Sequence, residues 1–265
     1  MVALVAAALL AVAAPPPNAP LPSGAPAIAR ELAATTSSLD SAVDAWRDAG
    51  TARQPRQLRL WALRQQRLYL ALGLARPAVG DRVVRLLPAP RRADARDVLV
   101  ARHALVRLTP PTTRPLSAFR TGPSEPADRL LAYYRGAQRR FGVQWNVLAA
   151  VNFVESAFNK LRSTSTAGAQ GPMQFLPSTW RAYGLGGDVH DPHDAILGAA
   201  NYLRASGAPG NLRSALYAYN RSTLYVDAVL AYARVIRRNA RALYAFHAWQ
   251  VFVRTPAGYR RLTAP

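Results

Sequence analysis

Cysteine is absent from the 265 residues, which excludes disulfides and thiolate metal sites. Lysine is almost absent: Lys160 is the only one, and arginine supplies the remaining positive side-chain charge. Acidic residues are scarce, 14 against 34 basic ones, giving a formal net charge of +20. No apolar run reaches the roughly 20 residues that span a bilayer. Zinc-finger spacing and RNA-recognition signatures are missing, and the first half has no glycine-rich phosphate loop. The positive excess divides evenly about Ser124, so it is not a tail. It implies an anionic partner such as nucleic acid, anionic lipid or an acidic wall polymer. Charge alone does not choose among these.

Half of the residues are apolar, enough for one large domain or two small ones with a real core. The chain opens "MVALVAAALLAVAAPPPNAP". The uncharged, alanine-rich start has the length of an export signal's apolar region, and "AVA" ending at Ala13 resembles a cleavage site, though no positive n-region precedes it. Residues 1–26 are therefore read as a signal-like segment and Pro/Ala linker. Export to the cell wall, periplasm or extracellular space is expected. Residues 27–108 read as a smaller helical region. Ser38 is a candidate cap, and Leu39, Val43 and Trp46 share one helical face. Leu60, Leu63, Leu70 and Leu74 form a second stripe, ended by Pro77, and two short amphipathic helices follow. Residues 109–126, dense in Pro, Thr and Ser, read as a linker. Residues 127–265 read as helical again, with a short hairpin expected near residues 168–175. The fold class is mainly α.

Glu155 stands out in the second half. It follows "QWNVLAAVNFV", on the side of the helix that carries Leu148 and Val151. A carboxyl at the edge of an apolar stripe is held protonated toward neutral pH. Such an acid is what glycosidic cleavage requires. The bland alternative is a rim glutamate paired with an arginine such as Arg162.

The neighbouring segments decide between them. "ESAFN", "STAGAQGPMQFLPSTW", "DPHDAILGAANYL" and "ALYAYN" occur in that order. Together they resemble the soluble lytic transglycosylase domain of the lysozyme superfamily, over roughly residues 127–232. The resemblance implies a lysozyme-like helical catalytic domain that cleaves the β-1,4 MurNAc–GlcNAc bond of peptidoglycan, leaving 1,6-anhydro-MurNAc ends. It implies Glu155 as acid and then base. It implies substrate contacts from Ser165, Gly168, Gly171, Met173, Gln174, Tyr219 and Asn220. No cofactor and no metal are implied. The expected partners are peptidoglycan glycan strands and other anionic wall polymers, with no nucleic acid, and the expected state is a monomer. Pro172 stands where the family usually has leucine, and "AYNRS" replaces the commoner "AYNAG"; these mark a divergent branch. A goose-type-like lysozyme hydrolysing the same bond, a non-catalytic wall-binding module and a nucleic-acid-binding helical protein are the rival readings. "DVHDPHD" matches no zinc or EF-hand spacing and reads as a turn in which Asp191 or Asp194 caps the next helix. His103 and His247 read as structural.

Overall fold

The computed structural model describes residues 13–263. Most of the signal-like segment, residues 1–12, lies outside the described residues.

Proline sets the helix starts in the first half. It is tolerated in a first turn, where the missing N–H has no intrahelical partner to lose. Pro26 opens α1 (Ala25–Asp48), and Pro55 precedes α2 (Arg56–Leu74). Pro77 opens α3 (Pro77–Leu86), and Pro88 and Pro90 flank the start of α4 (Ala89–Leu108). Three expectations shift. Ser38 lies inside α1 rather than capping it, because the apolar stripe begins earlier, at Ala25, Ala29 and Leu32. Leu74 is exposed while Leu60, Leu63 and Leu70 are buried, since α2 ends as Leu74 leaves the core. The fourth helix is long rather than short.

Residues 109–126 are irregular apart from a 3-10 turn at Leu116–Ala118, yet they are strapped down. Arg120 N donates to Ser163 Oγ, Gly122 N donates to the Lys160 carbonyl, and Thr121 bridges Leu161. Then come α5 (Ala127–Phe141), stopped by left-handed Gly142, and α6 (Trp145–Ser156). The short α7 (Pro177–Tyr183) and α8 (Pro192–Ala205) follow, and Asp191 caps α8 by accepting from Asp194 N. Asn211 caps α9 (Leu212–Tyr219) in the same way. The chain continues with α10 (Thr223–Arg238), α11 (Arg241–Ala248) and a hairpin of β1 (Phe252–Thr255) and β2 (Gly258–Arg261). Among the described residues no helix is long and apolar enough to cross a membrane.

α6 is apolar nearly all round, as a central helix must be. Val147, Leu148, Ala149, Ala150 and Val151 are all fully buried. α5, α8, α10 and α11 surround it. The other side of α10 is covered by α4, so the first four helices and the rest of the chain share one continuous core. Polar ties cross the same seam. Asp97 accepts from Arg234 and Arg238, and Asp94 from Arg238. Asp44 accepts from Arg241. Gln66 and the Gln250 backbone exchange two hydrogen bonds of 2.8 Å, pinning the segment after α11 onto α2. Lys160 extends to the carbonyls of His247 and Trp249 at the end of α11. Burial lowers the pKa of this amine to about 7, and it donates to carbonyls that the helix leaves open.

Candidate functional site

Glu155 occupies the last turn of α6, where the buried helix reaches the edge of the core. Its side chain is half-buried, and Oε1 accepts a 2.7 Å hydrogen bond from the Tyr225 hydroxyl. Burial pushes the carboxyl up to about 7, and the Tyr225 hydrogen bond opposes that rise. Arg162 is not its partner; that guanidinium donates to the Pro123 carbonyl. No cation pairs with Glu155 among the described residues, so the proton stays close to neutrality's balance point.

The turn after Glu155 is unusual. Ala157, Phe158 and Asn159 have φ of 50°, 63° and 66°, a left-handed run that side chains rarely adopt. Packing holds it: the fully buried Phe158 ring stacks 5.3 Å from Phe153 and lies beside His247. Ser156 adds a polar post. Its Oγ donates to the Pro172 carbonyl at 2.6 Å and accepts from Asn159 N at 2.8 Å. Asn152, one turn earlier, also donates to the Pro172 carbonyl and accepts from Tyr134. α6 thus grips the loop of residues 171–175 beside its own glutamate.

That loop is closed by a reciprocal pair of 2.9 Å bonds between Gln170 and Phe175, in the region where a short hairpin was expected. Gly171 has φ +73°, and a Cβ there would lie 1.9 Å from the Val189 carbonyl oxygen. Gly168 has φ +82° with nothing near its missing Cβ. The two glycines therefore differ. Gly168→Ala should cost about 1–2 kcal/mol, the left-handed penalty alone. Gly171→Ala adds a backbone collision and should cost about 3 kcal/mol or more. Thermal denaturation of the two variants side by side checks the order.

The residues singled out in the sequence fall into two groups. Tyr219 lies near Glu155, and Gln174 sits in the loop that α6 grips. Gln174 is half-exposed with φ 49°, and its Nε2 donates to the Gly171 carbonyl at 3.0 Å. Tyr219 donates to the Met173 carbonyl at 2.7 Å, and its ring lies parallel to that of Tyr225 at 6.4 Å. Burial, and then the nearby Glu155 charge, push both phenols well above their usual range. Asn220 closes α9 in extended backbone next to Tyr219, half-buried. Ser165 and Met173 are turned to structural tasks. Ser165 Oγ accepts from Ala169 N, closing its own loop, and the Met173 side chain is fully enclosed in the core. The hydroxyl that meets the carboxyl belongs to Tyr225, which the sequence reading did not pick. It sits on α10, past the recognisable "AYN", and reads there as an ordinary core aromatic of an amphipathic helix.

A cavity of about 150 Å³ opens beside Glu155. Its floor is α6, and its far walls are Gln66 and Leu70 of α2, Arg102 and Leu105 of α4, and the segment from Trp249 to Phe252. At the start of α8, Asp191, His193 and Asp194 bring ligand atoms within 4.8 Å of one another. Both carboxylates already serve backbone N–H groups: Asp191 accepts from Asp194 N, and Asp194 from Asp188 N.

Residues 132–239 match the family model described as Transglycosylase SLT domain. The chain is 35% identical over 74 residues to a membrane-bound lytic murein transglycosylase F of Thiobacillus denitrificans. That match covers 28% of this chain and 15% of the relative. No solved structure matches the chain.

Proposed function

From the premise that residues 132–239 form a transglycosylase SLT domain, we propose that this protein is a peptidoglycan lytic transglycosylase with Glu155 as its sole acid and base. One observation carries the reading: a carboxyl held up to about 7, hydrogen-bonded by Tyr225, with no second carboxylate beside it among the described residues. The other acids of the second half are engaged elsewhere, and Asp188, Asp191 and Asp194 accept from backbone N–H groups around the start of α8. Asp227 pairs with Arg213, Asp128 with Arg47, and Glu125 with Arg129. The usual glycosidase pair of carboxylates, about 5 to 9.5 Å apart, is therefore not assembled.

A single carboxyl suffices when the substrate supplies the nucleophile. Glu155 gives its proton to the glycosidic oxygen, and the GlcNAc-side chain departs with that proton. The MurNAc N-acetyl carbonyl shares the charge developing at C1. The MurNAc 6-hydroxyl then attacks C1, and its proton returns to Glu155. The bond to C1 is exchanged within the sugar, no water is consumed, and the ring closes as 1,6-anhydro-MurNAc. Tyr225 fixes the carboxyl for both transfers. Gln174 offers an amide able to both donate to and accept from an acetamido group.

Digestion of purified sacculi in ¹⁸O-enriched water tests this. The expected products are anhydro ends without label. Labelled reducing ends would mean that water attacks and the enzyme is a lysozyme. Tyr225→Phe bears on the proton itself. It removes the hydrogen bond that favours the ionised carboxyl, so the Glu155 pKa rises further. The alkaline limb of the pH–rate profile should move to higher pH while turnover at neutrality falls.

A further inference from the structure

Arg102 and Tyr232 both line the cavity beside Glu155, and the enclosed Arg102 Nε and Tyr232 hydroxyl have no hydrogen-bond partners among the described residues. Buried polar groups are nearly always satisfied, and two unsatisfied ones on residues that line one cavity need a cause. The guanidinium lies beside the tyrosine, yet neither completes a properly formed bond to the other. Arg102 donates only through Nη2, to the Tyr259 hydroxyl at 2.8 Å. It has no carboxylate partner among the described residues. Arg64, a buried arginine on α2, is by contrast paired with Glu31 and donates to two carbonyls as well. Arg102 is half-buried, and a cation withdrawn from water without a counter-charge is costly.

The position of Arg102 is fixed by the helices. A Cβ on Gly73 of α2 would stand 3.0 Å from Arg102 Cβ, so the glycine lets α2 and α4 close around the arginine stem. Glu155 is the only acid lining the cavity, and at about 150 Å³ the space far exceeds the roughly 10–15 Å³ that one water requires. Beyond Phe252 a second cavity of about 400 Å³ continues the positive character, lined by Arg67, Arg260 and Arg261 and by no acid. Arginine's planar fork suits a carboxylate.

We infer that this cavity receives a carboxylate-bearing substituent of the glycan, gripped by Arg102, and that it selects sugars carrying such a group at the position beside Glu155. The inference rests on the proposed transglycosylase reading. It assigns specificity to α2, α4 and the C-terminal segment, all outside residues 132–239. Two sources share the chemistry: the lactyl carboxylate of a bare MurNAc and the carboxylates of its stem peptide.

Calorimetric titration tests the inference in the full chain carrying Glu155→Gln, which should bind without cleaving. The ligands are chitotetraose, which has no carboxylate, the peptide-free tetrasaccharide (GlcNAc–MurNAc)₂, and its peptide-bearing form. We expect a preference of about tenfold or more for a carboxylate-bearing tetrasaccharide over chitotetraose, as one charge-assisted contact supplies. A preference already present without peptide identifies the lactyl group; one that appears only with peptide identifies the stem. Adding Arg102→Gln should erase the preference and leave chitotetraose affinity unchanged. Arg102→Lys, which keeps the charge and stem, should retain part of it, and it decides the matter if the glutamine variant does not fold. Equal affinity for all three ligands overturns the inference, as does a preference that survives loss of Arg102. So does an equal loss for chitotetraose, which would make Arg102 a scaffold residue. If the protein binds no glycan and wild type releases nothing from sacculi, the transglycosylase reading itself has failed. Cleavage without an Arg102-dependent preference sinks only this inference.

Discussion

Glu155→Gln is expected to abolish glycan cleavage and, above neutral pH, to make the protein more stable. The amide keeps the shape and can still accept from Tyr225, but it neither gives a proton nor takes one back. Loss of one acid–base function costs about 10²- to 10⁴-fold, and here both functions rest on one residue. The stability effect follows from the pKa. The folded carboxyl titrates at about 7 and the unfolded one at 4.5. Between those values the native state binds more protons than the unfolded state, so wild-type stability declines as pH rises through that window. Glutamine does not titrate. The gap between variant and wild type should therefore widen in the variant's favour from pH 4 to pH 8. The full shift corresponds to about 3 kcal/mol, and partial exposure reduces this to about 1–2 kcal/mol. Melting temperatures at the two pH values, with turnover on sacculi, check both halves. An inactive variant with no pH-dependent gain in stability would show that burial does not perturb this carboxyl. A fully active variant would remove Glu155 from the chemistry.

The parts of this site that depend on local chain chemistry were legible in the sequence. A glutamate at the rim of an apolar helix and glycines in a compact loop each carry their reason within a few residues. The cap of α8 was legible too, because Asp191 needs only its own helix. Long-range contacts were not. Tyr225 meets Glu155 across 70 residues, and nothing in "TLYVDAVLAY" distinguishes its hydroxyl from a buried phenol such as Tyr232. Ser156 was visible within "ESAFN", but its task of holding the Pro172 carbonyl needs the loop's path. The hairpin after α11 escaped because its arginine-rich strands lack alternation and are held by contacts with α4, where Arg254 donates to the Val106 carbonyl and Tyr259 accepts from Arg102. Lys160 shows the limit from the other side. As the only lysine it drew attention as charge, and it serves as a half-buried strut beneath α11.

Removing residues 1–108 is expected to leave a chain with no cooperative unfolding transition, not a trimmed catalytic domain. α10 is buried on both sides, by α6 and by α4. Without α4, buried residues of α10 such as Val235 and Ile236 lose cover, along with the contacts of Val98, Ala101 and Ala104. Each large apolar side chain brought back to water costs about 1.5–3 kcal/mol. A handful of these matches the 5–15 kcal/mol by which whole domains are stable. Arg234 and Arg238 lose Asp97, and the Gln250 backbone loses Gln66, so polar groups are stranded as well. Two cavity walls facing Glu155 depart with α2 and α4. Scanning calorimetry of the truncated chain, with an assay on short soluble glycans, separates the outcomes. A single sharp transition with intact cleavage would make α1–α4 an accessory module for holding the wall. Loss of both would mean that the matched 132–239 segment works only as part of a larger helical body, in which the first helices complete the core beneath the glutamate and the surface in front of it.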